Sequence, residues 1–238
     1  MDDTATFSTH HTPTIARPLL GMTILVVEDS LYACDAMRLM CLHSGARIRR
    51  ADCLRSARRH LQVYRPSAVI IDLGLPDGSG LDLIEELGHA SPRISVILGI
   101  SGDDHAESQV LAAGADGFLS KPLTNLGTFQ RAVLKNLPAE RQPCGPRALR
   151  NDHIRPDPMA FRDDMAHIAN LLEDAGDAPV LDYVAQFLGG VARSAEDTQL
   201  DQAATALARA VKSGAATGNG IAQVAALVQE RLTRRIAM

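Results

Sequence analysis

Residues 68–80 read AVIIDLGLPDGSG: four apolar residues close in Asp72, and Pro76 and three glycines then break the run. A short apolar run bounded by turn-forming residues is the pattern of a strand buried on both faces. The same form recurs upstream as TILVV at 23–27, which ends in Glu28, Asp29 and Ser30, and downstream as ISVILGI at 94–100, which ends at Ser101. Weaker strand patterns fall at 47–51 and 117–119, and the loop signal LGLPDGSG follows the strand at 68–72. Helical patterns fill the intervals at about 31–41, 54–64, 81–87, 105–113 and 124–136. Five alternations of strand and helix predict an α/β, doubly wound five-stranded parallel sheet with helices on both faces.

Composition fits that reading. The 238 residues are 46% apolar, contain no Trp and are only 3% aromatic, so the cores must be built from Leu, Ile, Val and Ala. The net charge of −4 argues against broad electrostatic binding to nucleic acid or to an anionic membrane. Cys34, Cys41, Cys53 and Cys144 show no zinc-like spacing and read as reduced thiols. The first residues carry neither a cationic nor an apolar signal-peptide region, and no stretch approaches the length of a membrane span. The expected location is cytoplasmic.

The expected organisation is a flexible tail at 1–20, an α/β domain at 21–137, a Pro-rich linker at 138–158 and a helical domain at 159–238. The linker holds five prolines and cannot be continuous helix. Beyond it lie four apolar stripes at helical spacing. They are Phe161/Met165/Ile168/Leu172, Val180/Val184/Phe187/Leu188, Leu200/Ala203/Ala204/Leu207/Val211 and Ile221/Val224/Val228/Leu232. Four such stripes predict a small all-α four-helix bundle.

In an open parallel sheet, ligands bind outside the carboxyl ends of the strands, where the strand order switches. Glu28 and Asp29 end strand 1, Asp72 ends strand 3, Ser101 ends strand 4 and Lys121 follows strand 5. All five polar groups therefore converge on one rim. Clustered carboxylates repel unless a hard cation joins them, and Mg²⁺ prefers carboxylate and water oxygens. Asp72 is then a nucleophilic carboxylate of the kind that forms aspartyl phosphates. Mg²⁺, Lys121 and Ser101 are placed to balance the charge on the phosphoryl oxygens.

VVEDS, IIDLGLPDGSG, GIS and FLSKPL resemble the four signatures of two-component response-regulator receiver domains. Asp29, Asp72, Ser101 and Lys121 follow one another at separations of 43, 29 and 20 residues. The resemblance covers about 21–137 and implies the flavodoxin-like receiver fold. It implies phosphorylation of Asp72 from a phosphohistidine on a sensor histidine kinase or histidine phosphotransfer protein. It also implies Mg²⁺ as cofactor, bound by Glu28, Asp29, Asp72 and the Gly74 carbonyl. Pro122 is expected to follow a cis peptide bond that aims Lys121 inward, and Phe118 matches an aromatic that turns inward on activation. Gly102 leaves access to the acceptor open, and Asp103 lies where it can influence hydrolysis.

The helical domain at 159–238 resembles a histidine phosphotransfer bundle, with Thr205 at the histidine position and Ala208 and Arg209 at the following lysine and glycine. None of the functional residues is kept, so no relay through that position is expected. FRDDMAHIANLL, around His167, is similar to the phosphoacceptor helix of histidine kinases, which makes His167 an alternative relay residue. Its position well off the apolar stripe predicts exposure. The reading is thus a non-enzymatic, phosphorylation-controlled signalling protein whose helical module binds protein partners or forms a homodimer. Its rivals are a DNA-binding transcriptional regulator, suggested by the basic run QERLTRR, and a relay through His167.

Overall fold

The computed structural model describes residues 12–143, 152–173 and 177–233. The first half of the chain runs β1 (Thr23–Val27), α1 (Leu31–Ser44), β2 (Arg47–Ala51), α2 (Leu54–Val63) and β3 (Ala68–Asp72). A short hairpin follows, β4 (Gly74–Leu75) and β5 (Gly78–Ser79), then α3 (Gly80–Gly88) and β6 (Val96–Ser101). The unit closes with α4 (Glu107–Ala112), β7 (Gly117–Ser120) and α5 (Leu126–Lys135). Five of these strands form one parallel sheet in the order β2-β1-β3-β6-β7. This is the expected doubly wound sheet, and its switch point lies between β1 and β3.

Strand side chains alternate between two cores, as the two-residue period of a strand requires. Ile24, Val26, Ala68, Ile70, Val96, Leu98 and Ile100 face the layer of α1 and α5. Leu25, Val27, Val69, Ile71 and Ile97 face α2, α3 and α4. The edge strand β2 carries Arg47, Arg49 and Arg50 exposed to solvent, a charged edge that discourages pairing with other chains.

The four stripes become α6 (Pro158–Glu173), α7 (Ala178–Ser194), α8 (Thr198–Ser213) and α9 (Gly218–Thr233), and their apolar residues form a third core. Among the described residues, this second unit is entirely helical.

Several boundaries differ from the sequence reading. The tail expected at 1–20 ends sooner, because Leu19 is fully buried in the α1/α5 core and donates its amide to Ser44; residues 1–11 lie outside the described ones. The linker expected at 138–158 is partly built into the α/β unit. Ile154 is buried in the same core, and His153 bridges antiparallel to Asn125. Apolar side chains at 19 and 154 find cover on the sheet layer, which a composition-based boundary does not register. The stretch read as a plain loop at 73–80 contains the β4–β5 hairpin. Cys34 and Cys41 are buried free thiols and Cys53 is partly exposed; Cys144 lies outside the described residues.

Candidate phosphoacceptor site

Asp72 ends β3 at the middle of the sheet, 8% exposed. Glu28 follows β1 directly and is 1% exposed, and Asp29 comes next. The oxygens of Glu28, Asp29 and Asp72 lie within 4.8 Å of one another. Lys121 follows β7 and is buried, with its Nζ 2.7 Å from Glu28 and 3.2 Å from Asp72. The Lys121–Pro122 peptide bond is cis. Ser101 ends β6, and its hydroxyl accepts the amide of Asp103 at 3.1 Å. The five groups assigned from strand ends therefore share one rim.

The remaining expected positions distribute differently. Phe118 is half-buried against the core on the α2, α3 and α4 side. Asp103 is exposed and caps the short turn at 104–106 by accepting the His105 amide. Gly74 lines the cavity that contains Asp72. His167 is exposed, as its helical position predicted, and lies edge-on to Phe187 away from that cavity. Thr205 is exposed on α8, and α7 is the helix that faces Asp72.

Electrostatics follow from burial. Removal from water, reinforced by Glu28, pushes the Asp72 carboxyl up to about 7 against the pull of Lys121. Burial likewise raises Glu28 to about 7, with Lys121 again opposing, and raises Asp29 to about 6, with Asp72 adding to the rise. Burial works to lower Lys121, but Asp72 and Glu28 outweigh it and hold the ammonium well above the ordinary lysine value. Two buried carboxylates and the half-buried Asp29, with one ammonium, remain short of positive charge. That donor set is the one a hard divalent cation fits, because carboxylates suit Mg²⁺.

The helical unit reaches into the same rim. Asp164 of α6 accepts the Ser30 hydroxyl at 2.7 Å and the amides of Leu31 and Tyr32 at 2.8 and 3.1 Å. It thereby supplies the negative charge that the N-terminus of α1 favours. Tyr183 of α7 donates its phenol proton to Asp29 at 2.8 Å. Gln186, Gly190 and Arg193 of α7, with Lys212 of α8, line a cavity of about 320 Å³ together with Asp72, Gly74, Ser101 and Lys121. Asp164, Tyr183, Gln186 and Arg193 were absent from the sequence reading. One signal was available: Asp164 and Tyr183 sit on apolar stripes, three residues past Phe161 and Val180, where an apolar residue is expected.

The α/β unit has recognisable relatives among known proteins. Residues 24–132 match the family model described as the response regulator receiver domain. The KDP operon transcriptional regulatory protein KdpE of Escherichia coli is 32% identical over 107 residues, 45% of this chain and 47% of that protein. The virulence transcriptional regulatory protein PhoP of Salmonella typhimurium is 31% identical over 102 residues, 42% of this chain and 46% of that protein. The chain thus spans about half the length of the curated relatives it matches. A solved structure of a putative response regulator from Chloroflexus aurantiacus is 26% identical with a TM-score of 0.44, covering 48% of this chain and 98% of that one. Residues 24–132 of this chain are a receiver domain of the two-component response-regulator family.

Proposed function

We propose that the chain is a response regulator of a phosphorelay in which Asp72 accepts a phosphoryl group from a phosphohistidine on a sensor kinase or phosphotransfer protein. The observation that carries this reading is the buried Asp72 carboxylate, paired with Lys121 and clustered with Glu28 and Asp29 at the sheet's switch point. In the transfer, an Asp72 oxygen attacks phosphorus, the P–N bond to the donor imidazole breaks, and the imidazole leaves and takes up a proton. Lys121 and the Ser101 hydroxyl interact with the phosphoryl oxygens, and positioning of this kind supplies most of phosphoryl-transfer catalysis. Glu28, Asp29, Asp72 and the Gly74 carbonyl would hold Mg²⁺, which neutralises negative charge as the group arrives. The chain acts as a phosphoacceptor that carries a signal, not as an enzyme that turns over a metabolite.

The helical unit is the output, and protein binding or homodimerisation is its assigned role. The names of the curated relatives make transcriptional regulation the competing output. Arg231 of the basic QERLTRR run is turned inward to Asp197, however, and is 8% exposed. The test of the main reading is acetyl phosphate with Mg²⁺, followed by intact-mass analysis. Wild type should gain one phosphoryl group and Asp72→Asn none; an unmodified wild type excludes an active phosphoacceptor. Salt-dependent binding to a specific duplex would replace the protein-binding output by the transcriptional one.

A further inference from the structure

The guanidinium of Arg193 lies against the backbone of Gly102, the residue after Ser101. A Cβ built on Gly102 would collide with Arg193 Nε and Nη2 and stand 2.7 Å from its Cζ. Only glycine at 102 admits this approach. Arg193 Nη1 donates to Asp201 of α8 at 2.7 Å, which holds the guanidinium from behind. Its Nε is buried and makes no hydrogen bond to the described residues. A guanidinium with an uncommitted donor at the wall of a cavity can take up acceptor oxygens that enter it. The cavity is the one that contains Asp72, Ser101 and Lys121, and Lys212 adds a further cation to its wall.

The charge balance identifies that ligand. Phosphorylation replaces a single carboxylate charge by close to two and adds acceptor oxygens. Within the receiver, Lys121 is already shared between Glu28 and Asp72. A guanidinium carries a permanent charge and a planar fork of donors suited to phosphate oxygens. We propose that Arg193 is a phosphoryl-binding residue supplied by the helical unit, so that phosphorylation of Asp72 draws α7 onto the receiver instead of expelling it. This inference rests on Asp72 being the phosphoacceptor. It goes beyond that reading by assigning the direction of the switch and the residue that senses it.

The full-length protein tests this with beryllium fluoride, a tetrahedral mimic of the phosphoryl group, titrated calorimetrically in the presence of Mg²⁺. Arg193→Ala should weaken binding about tenfold or more, the loss expected of a charge-assisted hydrogen bond, and Arg193→Lys should fall between it and wild type. Asp201→Asn keeps the guanidinium while removing its ion pair, which is part-buried, and should stay within about threefold of wild type on the scale of a single ion pair near the surface. Hydrogen exchange of α7 amides should slow on addition of the mimic to wild type and change little in Arg193→Ala. Equal affinities of wild type and Arg193→Ala would overturn the proposal. So would an Asp201→Asn loss matching that of Arg193→Ala, or faster exchange of α7 when the mimic binds. A wild type that binds no mimic at all would instead overturn the phosphoacceptor reading on which the inference rests.

Discussion

Asp72, Glu28 and Lys121 illustrate how burial sets chemistry one residue at a time. Both carboxyls titrate near 7, up from ordinary values of 3.8 for Asp72 and 4.5 for Glu28, chiefly because the folded chain removes them from water. A folded-state pKa raised in this way stabilises the fold fully below the unfolded value, and the stabilisation is lost as pH rises through the folded one. The metal-free protein should therefore lose thermal stability between about pH 4 and pH 7. Mg²⁺ coordination requires deprotonated carboxylates, so stabilisation by the added ion should grow over the same window. Thermal melts followed by circular dichroism, suited to a chain without Trp, should show a larger Mg²⁺-induced rise in Tm at pH 8 than at pH 5. Equal rises at both pH values would mean that these carboxyls do not bind the ion.

At the scale of elements, α1 shows how a helix of one unit is completed by another. Ser30 is its N-cap and accepts the Ala33 amide at 3.0 Å, while Gly45 closes the helix in the left-handed conformation at φ 84°. The amides of Leu31 and Tyr32, which a cap side chain alone does not reach, are satisfied by Asp164 from α6. Burial raises the Asp164 pKa, and the hydrogen bonds from Ser30, Leu31 and Tyr32 oppose that rise. Asp164→Ala should cost about 1–2 kcal/mol in urea unfolding, the usual cost of losing a cap. Hydrogen exchange at Leu31 and Tyr32 should accelerate at the same time. A variant with unchanged stability and unchanged exchange would show that α6 does not cap α1 in solution. The α2 N-terminus is handled similarly within the receiver, where Cys53 offers no side-chain bond and Asp77 accepts the amides of Leu54 and Arg55.

For the molecule as a whole, the question is whether the helical unit rests on the receiver. A compact chain of 238 residues has a radius of gyration of about 18 Å. Small-angle scattering of the unphosphorylated protein should approach that value. The double variant Asp164→Ala/Tyr183→Phe removes the three hydrogen bonds of Asp164 and the one of Tyr183 and should scatter as a measurably larger particle. Identical curves for wild type and variant would mean that these contacts do not hold the two units together.

The alternation of strands and helices, the strand-end positions of Glu28, Asp29, Asp72, Ser101 and Lys121, and the four helical stripes were all legible in the sequence. Each is a local pattern: an apolar run ending in a polar group, or a repeat of 3.6 residues, declares its buried face without reference to any partner. The limits of the units were less legible, because Leu19 and Ile154 are single apolar residues whose burial depends on a surface far away in the chain. The placement of the helical unit was not legible at all. Asp164 on α6 and Tyr183 on α7 look in sequence like polar interruptions of apolar stripes, and only their approach to Ser30 and Asp29, 134 and 154 residues distant, gives them a role. Local periodicity and strand-end chemistry encode the receiver and the carboxylate cluster at its rim. That α7 lies over Asp72 emerges only in the folded chain, because a polar interruption of an apolar stripe does not name the distant surface it meets.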